Sequence, residues 1–312
     1  MISKFLDPKN DFAFRQVFGQ EKNKDILIHF LNDVLDHTHI GRIVAVQFLE
    51  RVHDPEIAAK KQSIVDIRCT DQTGREYIIE MQVAKQPGFE KRAQYYASKA
   101  YSRQLMPAAQ YEQLKEVIFI AITDYIVFPE KAAFKSDHLI LDHKTQEHDL
   151  KDLYFTFIEL PKFTKSPCEL TSGLDYWCYY LKHAPQTRPE DYERLIKHSS
   201  ILQRAYQALD QYYWSEAELN TYESWLKAER DSQGIERQKL LDAEARGKEE
   251  GMQKGIQQGM QKGMQQGMQK GMQTKSLEIA KNMLFNLHLD IDVVQKATGL
   301  SSEALRKLQA EE

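Results

Sequence analysis

Residues 63–84 read SIVDIRCTDQTGREYIIEMQVA, and two short runs with strand character stand on either side of the turn residues Asp71 to Gly74. Residues 63–71 and 74–84 therefore predict a β-hairpin, since Asp, Thr and Gly supply the turn chemistry between alternating apolar runs. Side chains alternate between the faces of a strand. Asp66, flanked by Val65 and Ile67, is an acid in mid-strand, and Glu80 and Gln82 share a face while Met81 turns away. Counting outward from the turn sets Asp66 near Tyr77 to Glu80, without deciding the register. Two carboxylates on adjacent strands repel unless a cation lies between them, and Mg2+ is satisfied by one or two carboxylates plus waters and phosphate oxygens.

The surrounding chain supplies a framework for this hairpin. Residues 10–36 place Phe14, Val17, Phe18, Ile26, Leu27, Phe30, Leu31 and Leu35 at helical spacing, predicting one or two helices interrupted near Gly19. Residues 43–50 predict a strand before the hairpin. Residues 89–105 predict a helix ending short of Pro107. VIFIAI, residues 117–122, is a continuous apolar run suited to a strand buried on both faces. Residues 153–160 predict a further strand. The order αβββαβ with a mixed sheet makes this an α/β chain.

Composition limits the rest. The chain has 312 residues, 42% of them hydrophobic, enough for one sizeable core with appendages. Its 42 basic and 46 acidic residues leave a net charge of −4, which gives no global signature of nucleic-acid binding and leaves room for a local patch. No run approaches the roughly 18 apolar residues of a membrane span, and residues 1–11 lack a basic-then-apolar leader, so the expectation is a soluble cytoplasmic protein with no membrane partner. Cys69, Cys168 and Cys178 show neither close metal-ligand spacing nor an even disulfide count, as expected of thiols in a reducing compartment. His138, His143 and His148 recur at spacing five, which favours neither one helix face nor one strand face, and they read as surface loop residues.

Beyond residue 175 the chain turns helical and aromatic, an extension packed on the core. Glycines then recur every fourth residue from Gly247 to Gly271, each followed by Met or Ile from Met252 to Met272. A period of four exceeds 3.6, so the stripe drifts by about 40° per repeat around a straight helix. Each glycine also weakens the helix by about 1 kcal/mol against alanine. A fraying helical spacer or a self-association segment forming a homo-oligomer follows. Residues 290–312 predict two helices separated at Gly299, the second capped by Ser301 or Ser302, a helix-turn-helix outline without a visible third helix. The expected division is an α/β domain over 1–175, a helical extension over 176–245, a repeat spacer over 246–274 and a terminal segment over 275–312.

An acid, a hairpin and then Glu-x-Gln resembles the PD-(D/E)XK nuclease pattern. Residues 6–35, 63–82, 91–102 and 157–163, the glycine repeat and residues 298–308 together resemble the Rpn family of recombination-promoting nucleases and transposases. The resemblance implies a restriction-endonuclease-like core and a Mg2+-dependent endonuclease acting on DNA. It implies that Asp66 and Glu80 hold the metal, with a backbone carbonyl of Met81 or Val83 completing the shell, and that Gln82 occupies the lysine position. A further acid from the first helix is Asp11 or Glu21, with Asp11 preferred. The sequence departs from the motif twice: no proline precedes Asp66, and the lysine is a glutamine. Lysine carries a compact positive charge, whereas glutamine only hydrogen-bonds. The missing charge points to Lys61 or Arg92, and Arg92 shares a helix face with Tyr96 four residues on. The competing expectations are an inert nuclease-fold protein that binds DNA or assembles through its C-terminal array, and a transposase-related factor, for which no third acid on a separate element is placed.

Overall fold

A computed structural model describes residues 4–35, 40–49, 66–105 and 110–310. The chain divides into two compact units, Met1–Glu229 and Arg230–Glu312.

The first unit begins with α1 (Asp11–Phe18) and α2 (Lys24–Val34), joined through a short 3-10 turn at Glu21–Asn23. Asn10 caps α1, its side chain accepting from the backbone N–H groups of Phe12 and Ala13 at 3.0 and 3.2 Å. Three strands follow, β1 (Val46–Phe48), β2 (Ile67–Asp71) and β3 (Glu76–Gln82). Then come α3 (Phe89–Arg103), β4 (Val117–Thr123), β5 (Lys135–Ile140) and β6 (Leu150–Glu159). The αβββαβ order expected from the sequence is present, inside a six-stranded sheet of order β1-β2-β3-β4-β6-β5. Strands β3, β4 and β6 run parallel to one another, and the three remaining pairings are antiparallel. All seven residues of β4 are buried, as a central parallel strand requires.

The hairpin turn is organised by Asp71. Its Oδ1 accepts from the backbone N–H groups of Thr73 and Arg75 at 2.7 and 3.1 Å, and Oδ2 accepts from the Tyr77 hydroxyl at 2.9 Å. Gly74 adopts φ +86°, a conformation that side chains disfavour. These bonds set the register Ile67 opposite Ile79 and Cys69 opposite Tyr77. A slip of one residue would carry every side chain to the other face.

One face of the sheet packs against α1, α2 and the later helices α4 (Gly173–His183) and α6 (Ser200–Leu209), burying Phe14, Phe18, Phe30, Tyr77, Ile79, Trp177 and Tyr206 in one core. Helix α5 (Pro189–His198) lies between α4 and α6 in sequence and adds Leu195 to that core. Trp177 Nε1 donates to Asp33 of α2 at 2.8 Å, and a Cβ on Gly173 would collide with that same carboxylate. The other face is covered by α3, whose Ala93, Ala97 and Ala100 let the helix come close to Ile78, Phe119 and Ala121.

Strand β5 is a correction to the loop expected around the histidines. His138 lies within it, half-buried, with its ring 4.9 Å from that of Phe128 and 5.4 Å from that of Phe157. Edge strands with one half-covered face carry weak alternation, so the run of polar residues concealed it. His143 falls in the connection from β5 to β6, and His148 lies two residues before β6.

Helix α7 (Glu216–Lys281) begins in the first unit, where the Tyr222 hydroxyl accepts from the Asp7 backbone N–H at 3.0 Å. In the second unit the glycine repeat is helical throughout, with Met260, Met264 and Met268 more than 60% exposed. A single π turn, Asn282–Asn286, leads to α8 (Ile291–Thr298) and α9 (Ser302–Ala310). Ser301 is the cap of α9, accepting from Ala304 N at 3.3 Å, and Gly299 turns the chain with φ +72°. The end of α7 is the third helix not visible in the sequence, since its Ala280 forms a core with Val294, Leu305 and Leu308 together with Leu284 of the π turn. No helix among the described residues is long and apolar enough to cross a membrane.

Candidate functional site

Two acids come together at the mouth of the hairpin. Asp66 stands immediately before β2, and its Oδ2 accepts from the backbone N–H of Met81 at 2.9 Å, which ties it to β3 beside Glu80. Glu80 is 1% exposed and Asp66 7%. Gln82, two residues after Glu80 on the same face, donates from Nε2 to Glu80 Oε1 at 2.9 Å. Asp66, Glu80 and Gln82 thus form one constellation.

Each acid is met by an arginine from a different helix. Arg15 of α1 donates from Nη2 to Asp66 Oδ1 at 3.0 Å. Arg92 of α3 donates from Nη2 to Glu80 Oε1 at 2.9 Å. The guanidinium of Arg92 lies over the Phe89 ring at 5.0 Å and also bonds Gln86 through Nη1. Tyr96, half-buried one turn further on, packs beside the core under α3 and against the Tyr95 ring at 5.8 Å. Lys61 lies outside the described residues.

Burial pushes the Asp66 carboxyl up to about 7, and the negative fields of Asp11 and Glu80 add to that rise, while Arg15 and the Met81 N–H oppose it. Asp11, one turn before Arg15 on α1, is raised as well, chiefly by burial and against the pull of Arg15. Asp11 therefore shares the electrostatic environment of the hairpin acids. Glu21, the alternative, is exposed and paired with Lys24 at 2.6 Å. When ionised, Asp11, Asp66 and Glu80 outnumber the two arginines by one charge, so the chemistry of the donor set suits a cation. Among the described residues no three Asp, Glu, His or Cys side chains form a tight metal cluster. Two carboxylates are within what a hexahydrated-type ion such as Mg2+ takes from protein.

Sequence reasoning passed over two groups. Arg15 was readable in principle, because Asp11 and Arg15 are four apart on one helix. Tyr125, just past β4, was not, because only the parallel pairing of β4 with β3 brings it near Arg92 and Glu80. Burial and the carboxylates push its phenol up to about 12, against the opposing field of Arg92.

Residues 8–238, the stretch that carries this hairpin and the helices on either side of it, match a family model described as PD-(D/E)XK nuclease family transposase. The chain belongs to this family. The match spans α1 to the first part of α7 and so includes every described residue of the constellation. No curated protein and no solved structure matches the chain. Membership of the PD-(D/E)XK nuclease family carries a nuclease- or transposase-related role, with a divalent metal the usual requirement of such nucleases.

Proposed function

We propose that the protein is a Mg2+-dependent DNA endonuclease of the cytoplasm that hydrolyses phosphodiester bonds and promotes recombination or DNA mobility. The observation that carries this reading is the convergence of two buried carboxylates, Asp66 just before β2 and Glu80 on the neighbouring β3. Asp66 and Glu80 would hold the cation, with a backbone carbonyl of β3 or the residue after it adding to the shell. A cation held there would lower the pKa of a bound water and offset charge on the phosphate.

The chain's own residues divide the remaining work. Gln82 orients water or substrate by hydrogen bonding, which an amide does without supplying charge. Arg92 holds Glu80 in place and carries positive charge to that side, with Tyr96 on the same helix. Arg15 and Asp11 set the charge balance around Asp66. Cleavage of supercoiled plasmid by the purified protein with Mg2+ tests this reading. Asp66→Ala and Glu80→Ala are expected to lower cutting by ~10³-fold or more in chains that remain folded, and undiminished cutting by Asp66→Ala would refute the assignment.

A second reading, an inert nuclease-fold protein that binds DNA and assembles into a homo-oligomer through its C-terminal array, is favoured by one observation. Glu80 Oε1 already accepts from both Arg92 and Gln82. That reading expects DNA binding to survive chelation and both acid substitutions, and to vanish on removal of residues 246–312.

A further inference from the structure

Lys9, Arg92 and Arg15 stand near the carboxyl ends of β3 and β4 or the mouth of the hairpin, and their commitments differ. Lys9 lies 2.9 Å from Asp124 Oδ2 and 3.9 Å from Asp7 Oδ2, between two carboxylates. Arg92 uses both terminal nitrogens, on Glu80 and Gln86, and its plane is fixed over Phe89. Arg15 bonds through Nη2, to Asp66, and its Nε meets no acceptor among the described residues. That Nε is fully buried, and so is the equally unbonded Nε of Arg92, so the two guanidiniums differ in their terminal nitrogens, of which Arg15 bonds one and Arg92 both; the Arg15 side chain is 16% exposed. A buried guanidinium donor without an acceptor is expensive. The planar fork that holds it matches the oxygens of a phosphate.

We propose that Arg15 is a catalytic residue, contacting a non-bridging oxygen of the scissile phosphate and supplying the positive charge that Gln82 does not. The inference rests on the endonuclease reading above. In hydrolysis, water gives its hydroxyl to phosphorus and its proton to the leaving oxygen as the old P–O bond breaks. Arg15 takes no proton, because a guanidinium stays charged throughout. Its contribution is to meet the charge that builds on the phosphate oxygens in the transition state. Asp66 and the helical position of Arg15 on α1 aim the fork at the acid pair. Arg92, by contrast, is held too tightly to turn toward substrate and acts as a positioning residue for Glu80.

The test uses the full chain, supercoiled plasmid and Mg2+ under single-turnover conditions, with plasmid affinity measured separately in Ca2+. Arg15→Gln is expected to slow the cleavage step by ~10²- to 10³-fold, the loss typical of one transition-state donor, with plasmid affinity changed far less. Arg15→Lys, which keeps a point charge without the fork, should fall between the two. Arg15→Ala should regain activity when guanidinium is added at non-denaturing concentration, a rescue that a purely structural arginine would not show. Cleavage by Arg15→Gln at the wild-type rate, or an Arg15→Ala loss that guanidinium leaves untouched, overturns this assignment while Asp66-dependent cutting still supports the endonuclease. Wild-type protein that cuts no faster than Asp66→Ala overturns both.

Discussion

Asp175, at the head of α4, and Asp66, at the mouth of the hairpin, are 1% and 7% exposed, yet their surroundings move them in opposite directions. Asp175 closes a capping box with Ser172, accepts from Thr171 N and Ser172 N at 3.0 and 3.1 Å, and pairs with Lys165 at 2.8 Å. Burial alone would raise it, but these bonds outweigh burial and lower the carboxyl to about 2. Asp66 has one backbone N–H and one arginine against burial and two acidic neighbours, and rises to about 7. A carboxylate that the fold satisfies is structural. One that the fold leaves short of positive charge is a candidate for meeting a cation or substrate.

This contrast is open to direct attack. The largest effect expected is on chemistry: Asp66→Ala or Glu80→Ala should lower plasmid cleavage by ~10³-fold or more, whereas Asp175→Asn should leave cleavage per folded molecule unchanged. Next is stability, with opposite signs. Asp175→Asn should lose about 1–3 kcal/mol in urea unfolding at neutral pH, the range for a cap and its buried hydrogen bonds. Asp66→Asn, measured with chelator present, should be more stable than wild type near pH 8. A carboxyl raised on folding stabilises fully below its unfolded value near 3.8 and loses that contribution as pH climbs through about 7.

The third effect is the acid limb. Because Asp175 is depressed on folding, its contribution is present above about pH 4 and disappears as pH falls toward about 2, and an Asp175→Asn chain should lack that part of the slope. Smallest is Lys165→Gln, which removes a partner 38% exposed and should cost less than about 1 kcal/mol. An equal loss from Lys165→Gln and Asp175→Asn would show that the ion pair, and not the backbone bonds, holds Asp175.

The same comparison marks how far the residues could be read unaided. The alternation around the Asp71 to Gly74 turn was legible because strand period and turn chemistry are local properties, and they led to Asp66, Glu80 and Gln82 without any tertiary information. The apolar run of β4 announced a central strand for the same reason. Strand β5 and the contribution of α7 to the terminal core were hidden, since neither has a clear period of its own and each is decided by what packs on it. The residues alone offered Asp11 or Glu21, with Asp11 preferred, and that Asp11 lies within the field of Asp66 is a fact of the packing of α1 on the hairpin.

What the chain determines by itself is therefore the order of elements, the hairpin and the three polar residues on it, all set by φ/ψ preference, turn chemistry and alternation over a few residues. Only the tertiary structure decided which cations meet those acids. Arg15 and Arg92 lie 51 and 12 residues from their carboxylates, and no local rule of periodicity spans such distances. Charge pairing across α1, the hairpin and α3 follows from how the two faces of the sheet are packed, and packing is a property of the whole core.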